Sequence, residues 1–179
     1  MRININFELG NECIEECYKI NEKISKITDN EIKYGELSCR PHITLLMGEI
    51  DEKDFDKVTS IVNNFESKVL DKQISFSKPS PIFENYIFGW VSEDFHKYFV
   101  DDCKRLLNQL KDIITPHEYL ISDGTSKPHV TLGYTQNMTK LNDFFEKSQA
   151  LPHTKCVRLL VSHVGIHGTA LIENYIKGE

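Results

Sequence analysis

Two short segments of the sequence carry residues that could move protons at a phosphate group. Residues 40–45, Arg-Pro-His-Ile-Thr-Leu, return at 127–132 as Lys-Pro-His-Val-Thr-Leu. Each copy holds a histidine followed two residues later by a threonine, namely His42 and Thr44, then His129 and Thr131. Imidazole has an unperturbed pKa near ~6.5 and can act as acid or base near neutral pH. One neutral and one protonated histidine on opposite sides of a phosphorus atom would suit an in-line displacement, with threonine hydroxyls donating to the non-bridging oxygens.

Each motif lies in a short, apolar, β-branched run that follows a proline, and this pattern predicts a strand. Side chains alternate between the faces of a strand, so His42 and Thr44 share one face while their neighbours point into a core. The same alternation places His129 beside Thr131. A pseudo-twofold relation between the two strands would bring both pairs to one cleft. This chemistry requires no metal, and we expect neither a metal site nor a cofactor.

The surroundings of the two motifs repeat as well. The motifs lie 87 residues apart, close to half of the 179-residue chain. Strand-like and helical patterns recur in the same order in each half, with strands at 3–7 and 86–91, apolar helical stripes at 11–27 and 98–114, and further stripes at 55–69 and from 141. Ser92 before two acidic residues predicts the start of the second helix. Each half is therefore expected to fold as β-α-β-α-β.

Three further segments complete this outline. Pro79-Ser80-Pro81 lies near the midpoint and predicts the crossover between the halves, and residues 119–127 are typical of a loop that enters the second motif. Strand-like sequence at 157–166 is followed by His167-Gly168, which could turn the chain into a last strand over 170–176.

The paired motifs resemble those of the 2H phosphoesterase superfamily, which includes proteins called 2′-5′ RNA ligases, cyclic phosphodiesterases and 2′,5′-oligoadenylate phosphodiesterases. The resemblance covers most of the chain and extends to a closing hairpin at 157–175. It implies an α+β, bilobal, pseudo-twofold fold over residues 1–179. Two lobes, roughly 1–80 and 81–179, would present antiparallel sheets with flanking helices around a central groove. It also implies that both His/Thr pairs are catalytic and face each other across that groove.

Four other residues are candidates for binding substrate. Arg40 and Lys127 directly precede the Pro-His pairs and could attract phosphate, although either could equally be a solvated charge at a strand end. Tyr134 lies an odd number of residues from Thr131, and a bulge at Gly133 would be needed to turn it toward the groove. Trp90 alternates with two other aromatic residues and could stack on a base, while core packing is the more common role.

Composition limits the possible partners. The chain has a net charge of −6 and no run of basic residues, which disfavours duplex DNA or long RNA and favours a ligand with few phosphates. The sequence shows neither the apolar core of a signal peptide nor an apolar stretch of membrane-spanning length, so we expect a cytoplasmic monomer without membrane contact. Its five cysteines are scattered and form no Cys-x-x-Cys pair, so they predict neither a zinc site nor a redox motif.

The function expected from the motifs and the resemblance is metal-independent hydrolysis of a 2′,3′-cyclic phosphate or a 2′-5′ phosphodiester in a short nucleotide or oligonucleotide. Two alternatives remain open at this point. One is a nucleotide- or RNA-end-binding module without turnover, and the other is an RNA-end ligase that runs the reaction in reverse. The sequence does not choose the sugar or base, or decide which histidine is the acid.

Overall fold

A computed structural model describes residues 1–35, 39–70, 72–117 and 127–171 of the chain. Ten strands are described: β1 (Arg2–Leu9), β2 (Cys39–Arg40), β3 (His42–Glu49), β4 (Gln73–Ile74), β5 (Ser80–Ile82), β6 (Tyr86–Trp90), β7 (Thr115–Pro116), β8 (His129–Tyr134), β9 (Thr154–His163) and β10 (Ala170–Leu171). Four α-helices accompany them: α1 (Asn11–Ile27), α2 (Phe55–Asn63), α3 (Glu93–Leu110) and α4 (Asn142–Lys147). One 3-10 turn precedes α2, a second precedes α4, and a third lies between β9 and β10.

The strands form a main sheet in the order β4-β9-β1-β3-β8-β6-β5. Every pairing along this order is antiparallel, β7 adds to β3, and β10 pairs with β2 in a second, two-stranded sheet. The predicted class, an α+β protein with antiparallel sheets and flanking helices, is confirmed. The predicted element order also recurs, because β1-α1-β3-α2 in the first half is followed by β6-α3-β8-α4 in the second.

The long helices form where the apolar stripes predicted them, with differences at their ends. Helix α1 has the predicted bounds, but Ile27 at its last turn is 41% exposed and does not join the buried stripe. Helix α3 begins directly after Ser92, as predicted, and ends before Ile113. Helix α2 stops at Asn63, so Phe65 and Val69 lie in the chain that follows the helix, where both are buried. An apolar stripe therefore predicts burial more safely than it predicts the end of a helix.

The helices are exchanged between the halves. Helix α3 packs against the β1-β3 part of the sheet, where the Phe99 ring meets Phe7 edge-on with centroids 5.5 Å apart. Helix α1 packs instead against β8, and its Asn21 side chain donates a 2.9 Å hydrogen bond to the Leu132 carbonyl. Each half thus supplies a helix that covers strands of the other half, which fixes the position of the two motif strands relative to each other.

Strands β3 and β8 meet where Ile43 lies opposite Val130. Farther along β8, the carbonyls of Thr131 and Leu132 accept hydrogen bonds from the Tyr34 hydroxyl and the Asn21 amide. These side chains, rather than strand β3, are the partners of the two carbonyl groups at this part of β8. The sheet is therefore joined at one short contact, with β4, β9, β1 and β3 on one side and β8, β6 and β5 on the other.

The remaining sequence predictions have mixed outcomes. Ser80–Ile82 is edge strand β5, a position that tolerates its proline, rather than a simple crossover. The predicted loop at 119–127 lies outside the described residues except for Lys127. The last strand begins at Ala170 as predicted, and residues 172–176 fall outside the described part. Among the helices described, none combines the length and the apolar character needed to cross a membrane.

Candidate active site

The register of β3 and β8 places both His-x-Thr pairs on one face of the sheet. Because Ile43 and Val130 are directly opposed, their side chains point to the same side, into the core, where both are fully buried. The residues on either side of them must then point to the other face, which we call the motif face. That face carries His42, Thr44, His129 and Thr131. Extending the register sets each histidine against the threonine of the opposite motif.

The two histidines are anchored in the same way. His42 Nδ1 lies 2.8 Å from the Arg40 carbonyl oxygen, and His129 Nδ1 lies 2.9 Å from the Lys127 carbonyl oxygen. A carbonyl oxygen can only accept, so both Nδ1 atoms carry a hydrogen. In the neutral form each ring therefore keeps its lone pair on Nε2. The proline between each histidine and its carbonyl partner limits the backbone there, which helps to hold both rings in place.

The first half supplies a polar wall beside His42. The Nδ2 atom of Asn4 lies 3.0 Å from Thr44 Oγ1 and 3.3 Å from His42 Nε2. Asn6, two residues along β1, bonds to Ser162 at 3.0 Å, and both asparagines are fully buried. The alternating sequence of β1 predicted a strand. It did not predict that the polar residues of this strand would be buried, which they are because β1 lies between β3 and β9.

The second half supplies an aromatic wall beside His129. The Phe88 ring stacks on the His129 ring with centroids 3.8 Å apart and planes 16° apart, and Trp90 meets the same imidazole edge-on at 5.3 Å. Phe88 is 6% exposed, whereas Trp90 is half-buried. Trp90 thus retains a partly accessible ring, while Phe88 is occupied by the histidine.

A bulge turns Tyr134 toward this wall. In the β6-β8 register Phe88 lies opposite Thr131 but Ile87 lies opposite Gly133, so Leu132 is an extra residue. The Tyr134 ring consequently lies 4.8 Å from the Tyr86 ring, in line with the other aromatic residues of β6. The structure therefore contains a bulge that turns Tyr134 as its candidacy required, but the extra residue is Leu132 rather than Gly133.

The two basic candidates differ in their surroundings. The Arg40 guanidinium makes a 2.7 Å ion pair with Glu8, which also binds Arg158 at 2.6 Å. Arg40 therefore lies beside His42 but shares its charge with a carboxylate. Lys127 places its Nζ 5.2 Å from the centre of the Trp90 ring and 3.8 Å from Glu93, and its side chain is exposed. Of the two, Lys127 is more available to a ligand.

His167, which the sequence placed in a turn and not at the site, is a neighbour of the site. Its ring stacks on Tyr134 with centroids 3.8 Å apart, and its Nε2 lies 3.0 Å from Glu31. The sequence could not predict this contact, because the turn at Ile166–Gly168 reaches Tyr134 only through long-range packing. In the described ranges, no group of three or more His, Cys, Asp or Glu side chains is placed to hold a metal ion.

Burial controls the protonation of both motif histidines. The pKa of His42 is lowered to about 4, chiefly by loss of solvation and to a smaller extent by the nearby His129, while the hydrogen bond to the Arg40 carbonyl opposes the shift. Burial also lowers the pKa of His129 from its ordinary value, and its hydrogen bond to the Lys127 carbonyl opposes the change. Both rings are thus mainly neutral near pH 7 without ligand. A bound phosphate dianion or monoanion would favour the charged form of whichever ring it contacts.

Comparison of the sequence with protein-family models finds no match, and neither does comparison with curated proteins. The geometry of the site is therefore the basis for the function of this protein.

Proposed function

We propose that the chain is a metal-independent phosphodiesterase that hydrolyses a 2′,3′-cyclic phosphate or a 2′-5′ phosphodiester in a short nucleotide or oligonucleotide. The observation that carries this proposal is the equivalence of the two histidines. Both lie on the motif face of adjoining strands, each beside a threonine, and both are bound through Nδ1 to the carbonyl two residues earlier. Two imidazoles that each present an Nε2 lone pair on the motif face are suited to a reaction that needs one base and one acid.

The chemistry can be assigned to groups without a metal. One neutral histidine takes the proton of the attacking water, while the other, protonated when phosphate is bound, gives a proton to the leaving ribose oxygen. Thr44 and Thr131 donate hydrogen bonds to the non-bridging oxygens as negative charge grows there. Substrate residues are proposed on both walls, with Trp90 and Tyr134 stacking on a base and Arg40 and Lys127 attracting phosphate.

The proposal includes a pseudo-twofold, bilobal arrangement of the 2H phosphoesterase type. Its support is the recurrence of the element order in the two halves and the exchange of α1 and α3 between them. The short contact of β3 with β8 would place the twofold axis near Ile43 and Val130, between the two motifs.

A hydrolysis panel tests this function. It contains 2′,3′-cyclic mononucleotides, 2′-5′ and 3′-5′ oligonucleotides and cyclic dinucleotides, each with excess EDTA. We expect turnover of a cyclic phosphate or a 2′-5′ bond that persists in EDTA and is lost in the His42→Ala, His129→Ala double variant. Loss of activity in EDTA with recovery on adding a divalent ion would contradict the proposal. No turnover, together with a thermal shift by nucleotide monophosphates, would instead indicate a binding module.

A further inference from the structure

Asn4 is a buried polar residue with an unusual set of contacts. Its Nδ2 lies within hydrogen-bond distance of three acceptors, namely the Gly168 carbonyl oxygen at 3.1 Å, Thr44 Oγ1 at 3.0 Å and His42 Nε2 at 3.3 Å. Its Oδ1 is buried and makes no hydrogen bond within the described structure. All of the amide's hydrogen bonds are therefore directed from its nitrogen toward the turn and the first motif.

The orientation of this amide follows from its partner Gly168. A backbone carbonyl only accepts, so the amide atom facing it must be the nitrogen. Gly168 has a φ of 75°, a left-handed conformation that glycine adopts without strain. Rotating the Asn4 amide by half a turn would set its oxygen against the Gly168 oxygen. The chain instead leaves Oδ1 without a partner, which is costly for a buried acceptor.

The fixed amide selects one protonation state of His42. The Nδ1 hydrogen is used by the Arg40 carbonyl, so the neutral ring presents a lone pair at Nε2, and the Asn4 N–H points at it. A proton on Nε2 would bring two N–H groups together. Asn4 therefore favours the neutral, Nδ1–H form of His42. Burial acts in the same direction, since it lowers the pKa of this residue.

Burial lowers the pKa of His129 as well, but one contact of His129, which His42 lacks, acts in the opposite direction. Its ring lies face to face with Phe88 and meets Trp90 edge-on. The negative face of an aromatic ring attracts a cation, so the Phe88 contact stabilises a charged imidazole relative to a neutral one. The structure thus gives the two histidines different second partners, an N–H donor for His42 and an aromatic face for His129.

We propose that Asn4 is a positioning residue that holds His42 as the neutral Nδ1–H tautomer, which makes His42 the general base and His129 the general acid. This inference rests on the proposed phosphodiesterase function. As a bond forms between water oxygen and phosphorus, the water proton passes to His42 Nε2. The bond from phosphorus to one ribose oxygen breaks, and that oxygen takes the proton from His129 Nε2. The Asn4 N–H that was directed at both Thr44 Oγ1 and His42 Nε2 then donates its hydrogen bond to Thr44 alone.

Other charged groups near His42 are compensated. Glu8 on β1 lies opposite His42 in the strand register, and its carboxylate binds both Arg40 and Arg158. His129 is the neighbouring titratable group from β8. Replacing Asn4 by Asp would add an uncompensated carboxylate at Nε2 itself while leaving these groups in place. Such a charge favours the imidazolium and should raise the pKa of His42.

The first test is a ¹⁵N NMR titration of histidine-labelled protein without ligand, with His42→Gln used for assignment. We expect His42 to be the Nδ1–H tautomer near neutral pH and its midpoint to rise by about one pH unit or more in Asn4→Asp. Asn30→Asp is the control, because Asn30 is also buried and its hydrogen bonds go to Asn21, Ser25, Ile32 and Tyr134 rather than to His42. It should leave the His42 midpoint nearly unchanged.

Two results would overturn the inference at this stage. One is an Nε2–H tautomer of His42 in the unmodified protein, a measurement that needs no variant to fold. The other is an equal midpoint in the Asn4→Asp and unmodified proteins. If Asn4→Asp does not fold, Asn4→Ala tests the same point, since loss of the N–H donor should also raise the midpoint, by less.

The second test is the pH dependence of kcat/KM. Asn4→Asp should move the acidic limb to higher pH and leave the alkaline limb in place, because only the base is affected. A uniform loss of rate at every pH would indicate a purely structural role, and a shift of the alkaline limb would make His42 the acid; either refutes the inference. If no substrate is hydrolysed at all, the phosphodiesterase proposal fails, while the NMR titration still decides whether Asn4 sets the state of His42.

Discussion

Ile43 lies directly opposite Val130 at the point where β3 meets β8, and both side chains are fully buried. This pair belongs to the core, yet it sets the geometry of the site, because the residues flanking it are the motif histidines and threonines. Packing behind the sheet and chemistry in front of it are therefore linked through one pair of apolar residues.

Shortening one member of this pair should reduce both stability and activity. Ile43→Ala should lower the free energy of unfolding by about 2–5 kcal/mol, the usual cost of a cavity in a packed core, measured by urea denaturation. Val157→Ala is a suitable control because Val157 is 55% exposed on β9, and it should change stability by less than about 0.5 kcal/mol. A loss in Ile43→Ala no larger than that of the control would mean that the pair does not hold the strands together.

Removing either motif histidine should reduce turnover strongly. His42→Ala and His129→Ala should each lower kcat by on the order of 10²-fold or more, because a positioned general acid or base accelerates a reaction by at least this factor. The double variant should lose far less than the product of the two, because the residues act as a unit. Thr44→Ala should cost less than either, since proton transfer remains. Near-normal kcat in one histidine variant would refute its assignment, and His153→Ala, at an exposed position, serves as the control.

The sequence predicted what local patterns determine. Helix α1 and the start of α3 followed from apolar spacing and a serine before acidic residues, and the motif strands followed from their β-branched runs. To predict that both motifs point to the same face of the sheet, one further assumption was needed, namely that their strands adjoin in a particular register. The repeat suggested such a relation but could not specify that register.

The sequence could not predict contacts made by residues far apart in the chain. Asn4 meets Gly168 across 164 positions, and neither residue belongs to a motif. His167 likewise reaches Tyr134 only because the turn at its position folds back over β8. Buried asparagines are hard to anticipate from alternation alone, since a polar residue on a strand is ordinarily expected to face solvent.

The low pKa of His42 should make stability depend on pH. The pKa is about 4 in the folded protein and near ~6.5 in the unfolded chain, so the unfolded chain binds the proton first as pH falls. The contribution of His42 to the free energy of unfolding is therefore fully present above about pH 6.5. It is lost as the pH falls toward 4, and the loss from this residue is about 3 kcal/mol. Urea denaturation across this range should show a shallower decrease for His42→Gln than for the unmodified protein. His153→Gln should keep the original slope, and parallel curves for all three proteins would contradict the assignment.

The rate should follow a bell-shaped dependence on pH, in which one limb reports the base and the other the acid. In the free protein the base must be neutral and the acid protonated, and burial lowers the pKa of both histidines. The acidic limb of kcat/KM is therefore expected near pH 4, and its alkaline limb below the ordinary histidine value of about 6.5. These apparent values belong to the pair of histidines rather than to one residue.

Bound phosphate should separate the profile of kcat from that of kcat/KM. An anion beside the acid histidine favours its charged form and raises its pKa in the complex, so the alkaline limb of kcat should lie at higher pH than that of kcat/KM. Initial rates at low and saturating substrate, with circular dichroism confirming the fold at each pH, would measure both profiles. Coincident alkaline limbs would mean that phosphate does not contact the acid. A rate that climbs steadily to high pH would indicate a metal-bound hydroxide or a specific-base route, and would exclude the two-histidine mechanism even if both residues proved essential.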